Sequence, residues 1–145
     1  NFRGVGASEG TYDEGRGERD DLLATLEYAG REFGAFHPVS EPLLAGFSFG
    51  AAVQTHVADH LAAQSQGPGR MLLVGVAVKH FDARPVPRDS IVIHGENDQT
   101  VLLADVLDWA RGQELPIVVV PGADHFFHRR LHLLRSIIAA NWRAP

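Results

Sequence analysis

Four short runs in this sequence are apolar almost throughout: Leu43–Phe47, Met71–Val78, Ile91–Ile93 and Ile117–Val120. A strand with one wet face alternates apolar and polar residues, whereas an unbroken apolar run fits a strand covered on both faces, as in a parallel sheet. Stretches with helical periodicity lie between the runs. Leu22, Leu26, Ala29 and Phe33 recur at that spacing from about Gly17 to Phe33, with Gly34 as the expected stop. Ala51, Ala52, Val53, Val57, His60 and Leu61 follow the first run, and Leu102, Val106 and Trp109 mark a helix from Val101 to Arg111, ended by Gly112. A last helix is predicted from Phe127 to Trp142, burying Leu131, Leu134, Ile138 and Trp142. Parallel strands need crossovers, which helices supply, so the predicted class is α/β: a mostly parallel sheet sandwiched by helices. A chain of 145 residues that is 45% hydrophobic can build one such domain over residues 1–145.

Charge and composition narrow the partners. A net charge of −5 with acids and bases interspersed makes no field that would hold nucleic acid or an anionic membrane surface, so a small-molecule partner is expected. The absence of cysteine leaves no disulfide framework and no thiolate chemistry, which suits a reducing cytoplasm, the expected location. No apolar run approaches the roughly 18 residues of a membrane helix. The first residue is Asn, so an initiator Met, a signal peptide or a leading segment can stand outside this sequence. Nothing in it sets an oligomeric state.

In parallel sheets reactive groups gather on loops after the carboxyl ends of strands, and three candidates occupy such loops. Gly46-Phe47-Ser48-Phe49-Gly50 fits Gly-x-Ser-x-Gly between an apolar run and a helix, a sharp turn that pushes the serine outward. Side chains at 46 and 50 are expected to collide where the helix start meets the strand. With 15 glycines in 145 residues the pattern alone is weak, and its setting between strand and helix gives it weight. A serine hydroxyl needs a base with a pKa near neutrality, and His125 follows the run Ile117–Val120. The imidazole in turn needs a carboxylate to fix its tautomer, and Asp98 follows Ile91–Ile93. The order Ser48, Asp98, His125 is the order of α/β hydrolases, not of chymotrypsin or subtilisin.

The segments Asn1–Ser8, Ala45–Gly50, His94–Asp98 and Gly122–Phe127 resemble small bacterial α/β hydrolases without a lid domain, over essentially the whole chain. The resemblance implies an acyl-transfer serine hydrolase acting on carboxylic esters or related acyl compounds, with no metal and no organic cofactor. It implies Ser48 as nucleophile, His125 as base, Asp98 as its orienting acid, and the Phe49 backbone N–H as an oxyanion donor. It also places Asn1-Phe2 at the tail of the family's fourth strand, Leu43–Phe47 as its fifth, and the remaining runs as its sixth to eighth. The family's first three strands and first helix find no counterpart here, and with them the loop bearing the second oxyanion amide. One such donor is worth about 10² to 10³ in turnover. On that count Leu43–Phe47 is expected to be an open sheet edge, and a portion of a longer protein is expected. A non-catalytic binding protein on a hydrolase fold is the alternative function.

Other readings compete at single positions. His128 competes with His125, and Glu96 and Asp124 compete with Asp98; loop placement favours His125 and Asp98. His56 and His60 have a spacing that can ligate zinc, but no Glu stands beside His56 and no third ligand is evident. Gly4-Val5-Gly6-Ala7-Ser8-Glu9-Gly10 superficially resembles a dinucleotide fingerprint, with its last glycine one residue late and a polar stretch where a helix should start. Phe47 and Phe126 are the candidate substrate-binding residues, within a set, with Phe49 and Phe127, of which half are expected to be core.

Overall fold

The computed structural model describes residues 1–33 and 43–141. The elements run α1 (Arg16–Phe33), β1 (Leu44–Phe47), α2 (Phe49–Ala63), β2 (Met71–Val74), β3 (Ile91–Gly95), α3 (Leu103–Arg111), β4 (Ile117–Val120) and α4 (Leu131–Asn141). The strands form one sheet in the order β1-β2-β3-β4, and every pair is parallel. Register pairs Leu44 with Met71, Leu73 with Val92, and His94 with Val119. All carboxyl ends therefore open toward the same rim. Gly34 and Trp142 lie outside the described residues.

Strand periodicity divides the core in two. Met71, Leu73 and Val92 pack on one face with Ala51, Ala52 and Val57 of α2, Val106 and Ala110 of α3, and Leu22, Leu23 and Leu26 of α1. Leu72, Val74, Ile91 and Ile93 point the other way, onto Leu133, Leu134, Ile137 and Ile138 of α4. Both faces are covered, which is why these strands carry no polar alternation. β1 has one partner, β2, and is an edge of the sheet among the described residues.

Several expectations shift. Asn1 and Phe2 form no strand, and the Phe2 ring stands edge-on to Phe49 with centroids 5.0 Å apart. The second apolar run does not stay extended to Val78: β2 stops at Val74 because Gly75 turns the chain at φ 55°. The last helix begins at Leu131, since Phe127 and Arg129 take positive φ and break the ladder there. Phe127 is core, whereas Leu131 is 62% exposed. Phe33 is exposed at the end of α1, which packs through Leu22, Leu23 and Leu26.

The segment after β2 is irregular but anchored. Phe81 O binds His56 Nε2 at 2.8 Å, Arg84 N–H donates to Thr55 Oγ1 at 2.9 Å, and Trp109 Nε1–H donates to Ala83 O at 3.0 Å. α2 and α3 therefore hold this segment in place.

β1 and α2 meet more closely than any side chain permits. A Cβ on Gly46 would lie 2.6 Å from the Cα and N of Ala51. Gly50 is not confined in the same way: its Cβ would meet only the Phe2 ring, at 3.6 Å. Gly46→Ala is therefore expected to cost about 3 kcal/mol or more in urea unfolding, through overpacking of rigid backbone. Gly30→Ala, in α1 with nothing within 4 Å of its Cβ, is expected to stabilise by about 0.5 to 1 kcal/mol.

Candidate functional site

Ser48 links β1 directly to α2, and its backbone takes φ 52° and ψ −120°, a conformation that L-residues rarely adopt. Neighbours hold it there. Ser48 N–H donates to Val74 O at 2.9 Å, while Ser48 O accepts from Ala52 N at 3.1 Å. A turn this tight swings the side chain off the sheet and presents Oγ at the rim. Phe49 opens α2, and first-turn N–H groups have no carbonyl partner within a helix.

A continuous hydrogen-bond chain leaves that hydroxyl. Ser48 Oγ–H donates to His125 Nε2 at 2.8 Å, and His125 Nδ1–H donates to Asp98 Oδ2 at 2.7 Å. The second oxygen, Asp98 Oδ1, accepts the N–H groups of Thr100 (2.9 Å) and Val101 (2.8 Å). Those bonds leave the carboxylate no freedom to rotate away from the ring. The Asp98 side chain has no exposed area and His125 has 6%, so little water competes for either. The loops after β1, β3 and β4 thus bring together the three residues predicted from three separate stretches of sequence.

The competing groups are occupied elsewhere. Asp124 accepts from the His128 backbone N–H at 3.0 Å and pairs with its Nδ1 at 2.7 Å. Those two bonds hold the Asp124 carboxyl below its ordinary pKa. Glu96 Oε2 accepts Gly122 N–H at 2.7 Å and ties the Asp98 loop to the His125 loop. His56 binds the Phe81 carbonyl and His60 binds Gln64, so the two imidazoles serve packing and helix contacts. Among the described residues no group of three or more His, Cys, Asp or Glu could hold a metal ion. Gly4, Gly6 and Gly10 all take positive φ in a loop closed by Gly4 N–H to Glu9 O, and α1 begins only at Arg16.

The phenylalanines separate by environment. Phe47 and Phe126 flank the His125 ring, with centroids 5.0 and 5.1 Å from it, and both are exposed. Phe49 packs among Phe2, Tyr12 and Phe81, and Phe127 is buried.

Three residues contribute without having been singled out for it. Gly75 lies under His125: a Cβ there would stand 3.4 Å from Cε1 and 3.5 Å from Nδ1, at a φ that favours glycine in any case. Gly95 lets the end of β3 approach the next loop, since its Cβ would lie 2.6 Å from Ala123 O. His94 is fully buried; its Nε2–H donates to Val101 O at 3.0 Å and lies 3.6 Å from Asp98 Oδ2. Val101 is thereby gripped at both ends, its N–H by Asp98 and its carbonyl by His94. A glycine inside the apolar run Met71–Val78 was the available signal for Gly75. Nothing in the sequence distinguished His94 from a surface histidine except its place directly after the run Ile91–Ile93.

No family model matches the sequence. An uncharacterized protein of Rickettsia prowazekii is 30% identical over 141 residues, covering 88% of this chain and 56% of that protein. A lidless α/β serine hydrolase of Xanthomonas campestris superposes with a TM-score of 0.80 at 35% identity, over 97% of this chain and 62% of that one. An α/β serine hydrolase homologue from Coxiella burnetii gives 0.78 at 33%, over 99% and 67%. A putative α/β hydrolase of Agrobacterium tumefaciens, at 23% identity and a TM-score of 0.76, shares the fold. The chain spans little more than half the Rickettsia relative and under two thirds of the Xanthomonas protein.

Burial lowers the pKa of His94, outweighing the favourable Val101 carbonyl and Asp98 carboxylate. The folded ring therefore binds its proton more weakly than the unfolded one, whose ordinary value is 6.5. Its contribution to stability is complete above that pH and is lost as pH falls below it, because the unfolded chain then takes up the extra proton. Urea unfolding from pH 7.5 to 5.5 is expected to show a loss of up to about 1 kcal/mol that is absent from the slope of His94→Gln. Equal slopes for the two proteins would contradict the assignment.

Proposed function

The chain belongs to the α/β-hydrolase superfamily, and from that premise we propose that it is a serine hydrolase cleaving carboxylic esters or related acyl bonds through an acyl-enzyme. The single observation that carries the proposal is the hydrogen-bond chain from Ser48 through His125 to the buried Asp98. The Ser48 hydroxyl meets an imidazole whose other nitrogen is already committed to a fully buried carboxylate.

In the resting site Asp98 accepts the Nδ1–H of His125 and fixes that tautomer, so that the Nε2 lone pair faces the Ser48 hydroxyl. As Ser48 Oγ attacks the carbonyl carbon, its proton passes to Nε2 and the imidazolium that forms is stabilised by the Asp98 carboxylate. The developing oxyanion is placed at the Phe49 backbone N–H, at the positive end of α2. Collapse of the intermediate expels the alcohol, which takes the proton from Nε2. Water then attacks the acyl-enzyme with the same base, releasing the acid and restoring Ser48. Phe47 and Phe126 offer an apolar shelf beside the reacting atoms for the hydrocarbon part of the substrate. Serine supplies the nucleophile and imidazole the proton transfer, so the chemistry asks for neither metal nor organic cofactor.

A fluorophosphonate probe at neutral pH is expected to label the protein at Ser48. Ser48→Ala abolishes labelling, and His125→Ala slows it by several orders of magnitude. Asp98→Asn leaves the fold intact but presents the wrong hydrogen-bonding group to Nδ1, and is expected to lower kcat on a 4-nitrophenyl ester by about 10⁴. A folded parent that resists the probe would instead support a binding protein on a hydrolase fold.

A further inference from the structure

Ser48 opens onto a cavity of about 470 Å³ whose walls include Ala77, Lys79, His80, Thr100 and Asp105. Neither Phe47 nor Phe126 lines it, so two unlike surfaces meet at the serine: an exposed aromatic shelf and a cavity with charged walls. The structure assigns this cavity, we propose, to a carboxylate carried by the substrate, with Lys79 as the residue that reads it. The inference rests on Ser48 being the nucleophile.

Size and charge both bear on the ligand. A water molecule's share of liquid volume is about 30 Å³, so a cavity this large takes a chain of several carbons, not a lone small ion. Lys79 Nζ donates to Asp105 Oδ1 at 2.9 Å, which uses one of the three ammonium hydrogens and leaves two. The Lys79 side chain is 79% exposed and Asp105 only 21%, so an entering group meets the cation first. Asp105 also lies in the first turn of α3, where the helix's own amides offset its negative charge. Asp108, the other carboxylate that influences Lys79, is paired with Arg111. Thr100, a residue that carries a hydroxyl donor, also lines the cavity.

The net charge of −5 does not overrule this arrangement. Exposed charges farther than about 8 Å are largely screened at physiological salt, whereas a direct contact with Lys79 is not. Asp105 acts as the tether that holds the ammonium at the cavity and keeps it protonated, since the hydrogen bond between them raises the pKa of Lys79. A carboxylate at the end of the substrate would add a second anion to that ammonium through its free hydrogens.

The test compares kcat/KM for 4-nitrophenyl hydrogen adipate with that for 4-nitrophenyl methyl adipate, which is equal in length apart from a methyl cap and uncharged. The wild-type protein is expected to favour the acid. Lys79→Met is expected to lower the acid-to-methyl-ester ratio about tenfold, chiefly through KM, and Lys79→Arg to keep most of it. No wild-type preference, or an equal loss on both esters in Lys79→Met, would overturn the assignment. An uncharged fluorophosphonate separates the two levels of failure. Labelled protein without the ester preference removes the subsite alone, whereas folded but unlabelled protein removes the nucleophile and the subsite together.

Discussion

The contact between Gly46 and Ala51 sets how closely β1 and α2 can approach, and the conformation of Ser48 follows from it. A chain leaving a strand and entering a helix after a single residue must turn within one pair of dihedrals, and no relaxed pair does so. Holding a non-glycine residue at φ 52° and ψ −120° costs on the order of 1 to 3 kcal/mol. The hydrogen bonds from Ser48 N–H to Val74 O and from Ala52 N–H to Ser48 O, together with burial of Ala51 and Ala52 in the core, offset that cost. The strain is local, and the support comes from elements packed on both sides of it.

The parallel sheet does the rest of the positioning. Because β1 to β4 point the same way, their following loops open at one rim, and residues 48, 75, 98 and 125 become neighbours despite their separation in the chain. Two kinds of contact then bring the loops together. Glycine at 75 and 95 removes side chains where the imidazole and the Ala123 carbonyl need space. Hydrogen bonds from Asn97 N–H to Ala123 O and from Gly122 N–H to Glu96 tie the third strand's loop to the fourth's. The placement of the Ser48, His125 and Asp98 side chains is therefore a property of the sheet and its glycines more than of any one loop.

How much of this was legible in the sequence depends on the physics involved. Strand number and parallel pairing showed in the unbroken apolar runs, because burial on both faces leaves a compositional record. The candidate triad showed because its members follow those runs. Element ends were less legible: Gly75 and Phe127 stop or delay regular structure through positive φ, and periodicity carries no sign of a single residue's dihedrals. The phenylalanines were not separable by sequence either, since Phe126 and Phe127 are adjacent, one exposed beside His125 and the other in the core. The buried Glu18 is a similar case. It looks like an ordinary acid near a helix start, yet its carboxylate accepts the Asp13 and Gly15 N–H groups and holds the loop that enters α1.

The cluster of buried polar side chains at the sheet's rim shows where stability is given up. His94, Asp98 and His125 lie within one hydrogen-bonded group, and His94 Nδ1 has no partner among the described residues. An unmatched buried acceptor costs roughly 1 to 3 kcal/mol, a cost that an apolar residue packed at the same place would avoid. The neighbouring core meets its packing needs with Val92, Ile93 and Val120, so burial alone does not call for an imidazole there. What His94 adds is a donor that fixes Val101, whose N–H in turn fixes Asp98. Each polar group in the chain is oriented by the one behind it, and the sequence ends at the half-buried Ser48 hydroxyl. An arrangement that spends packing energy on orientation, and directs it at a single oxygen, is understandable if that oxygen has to react.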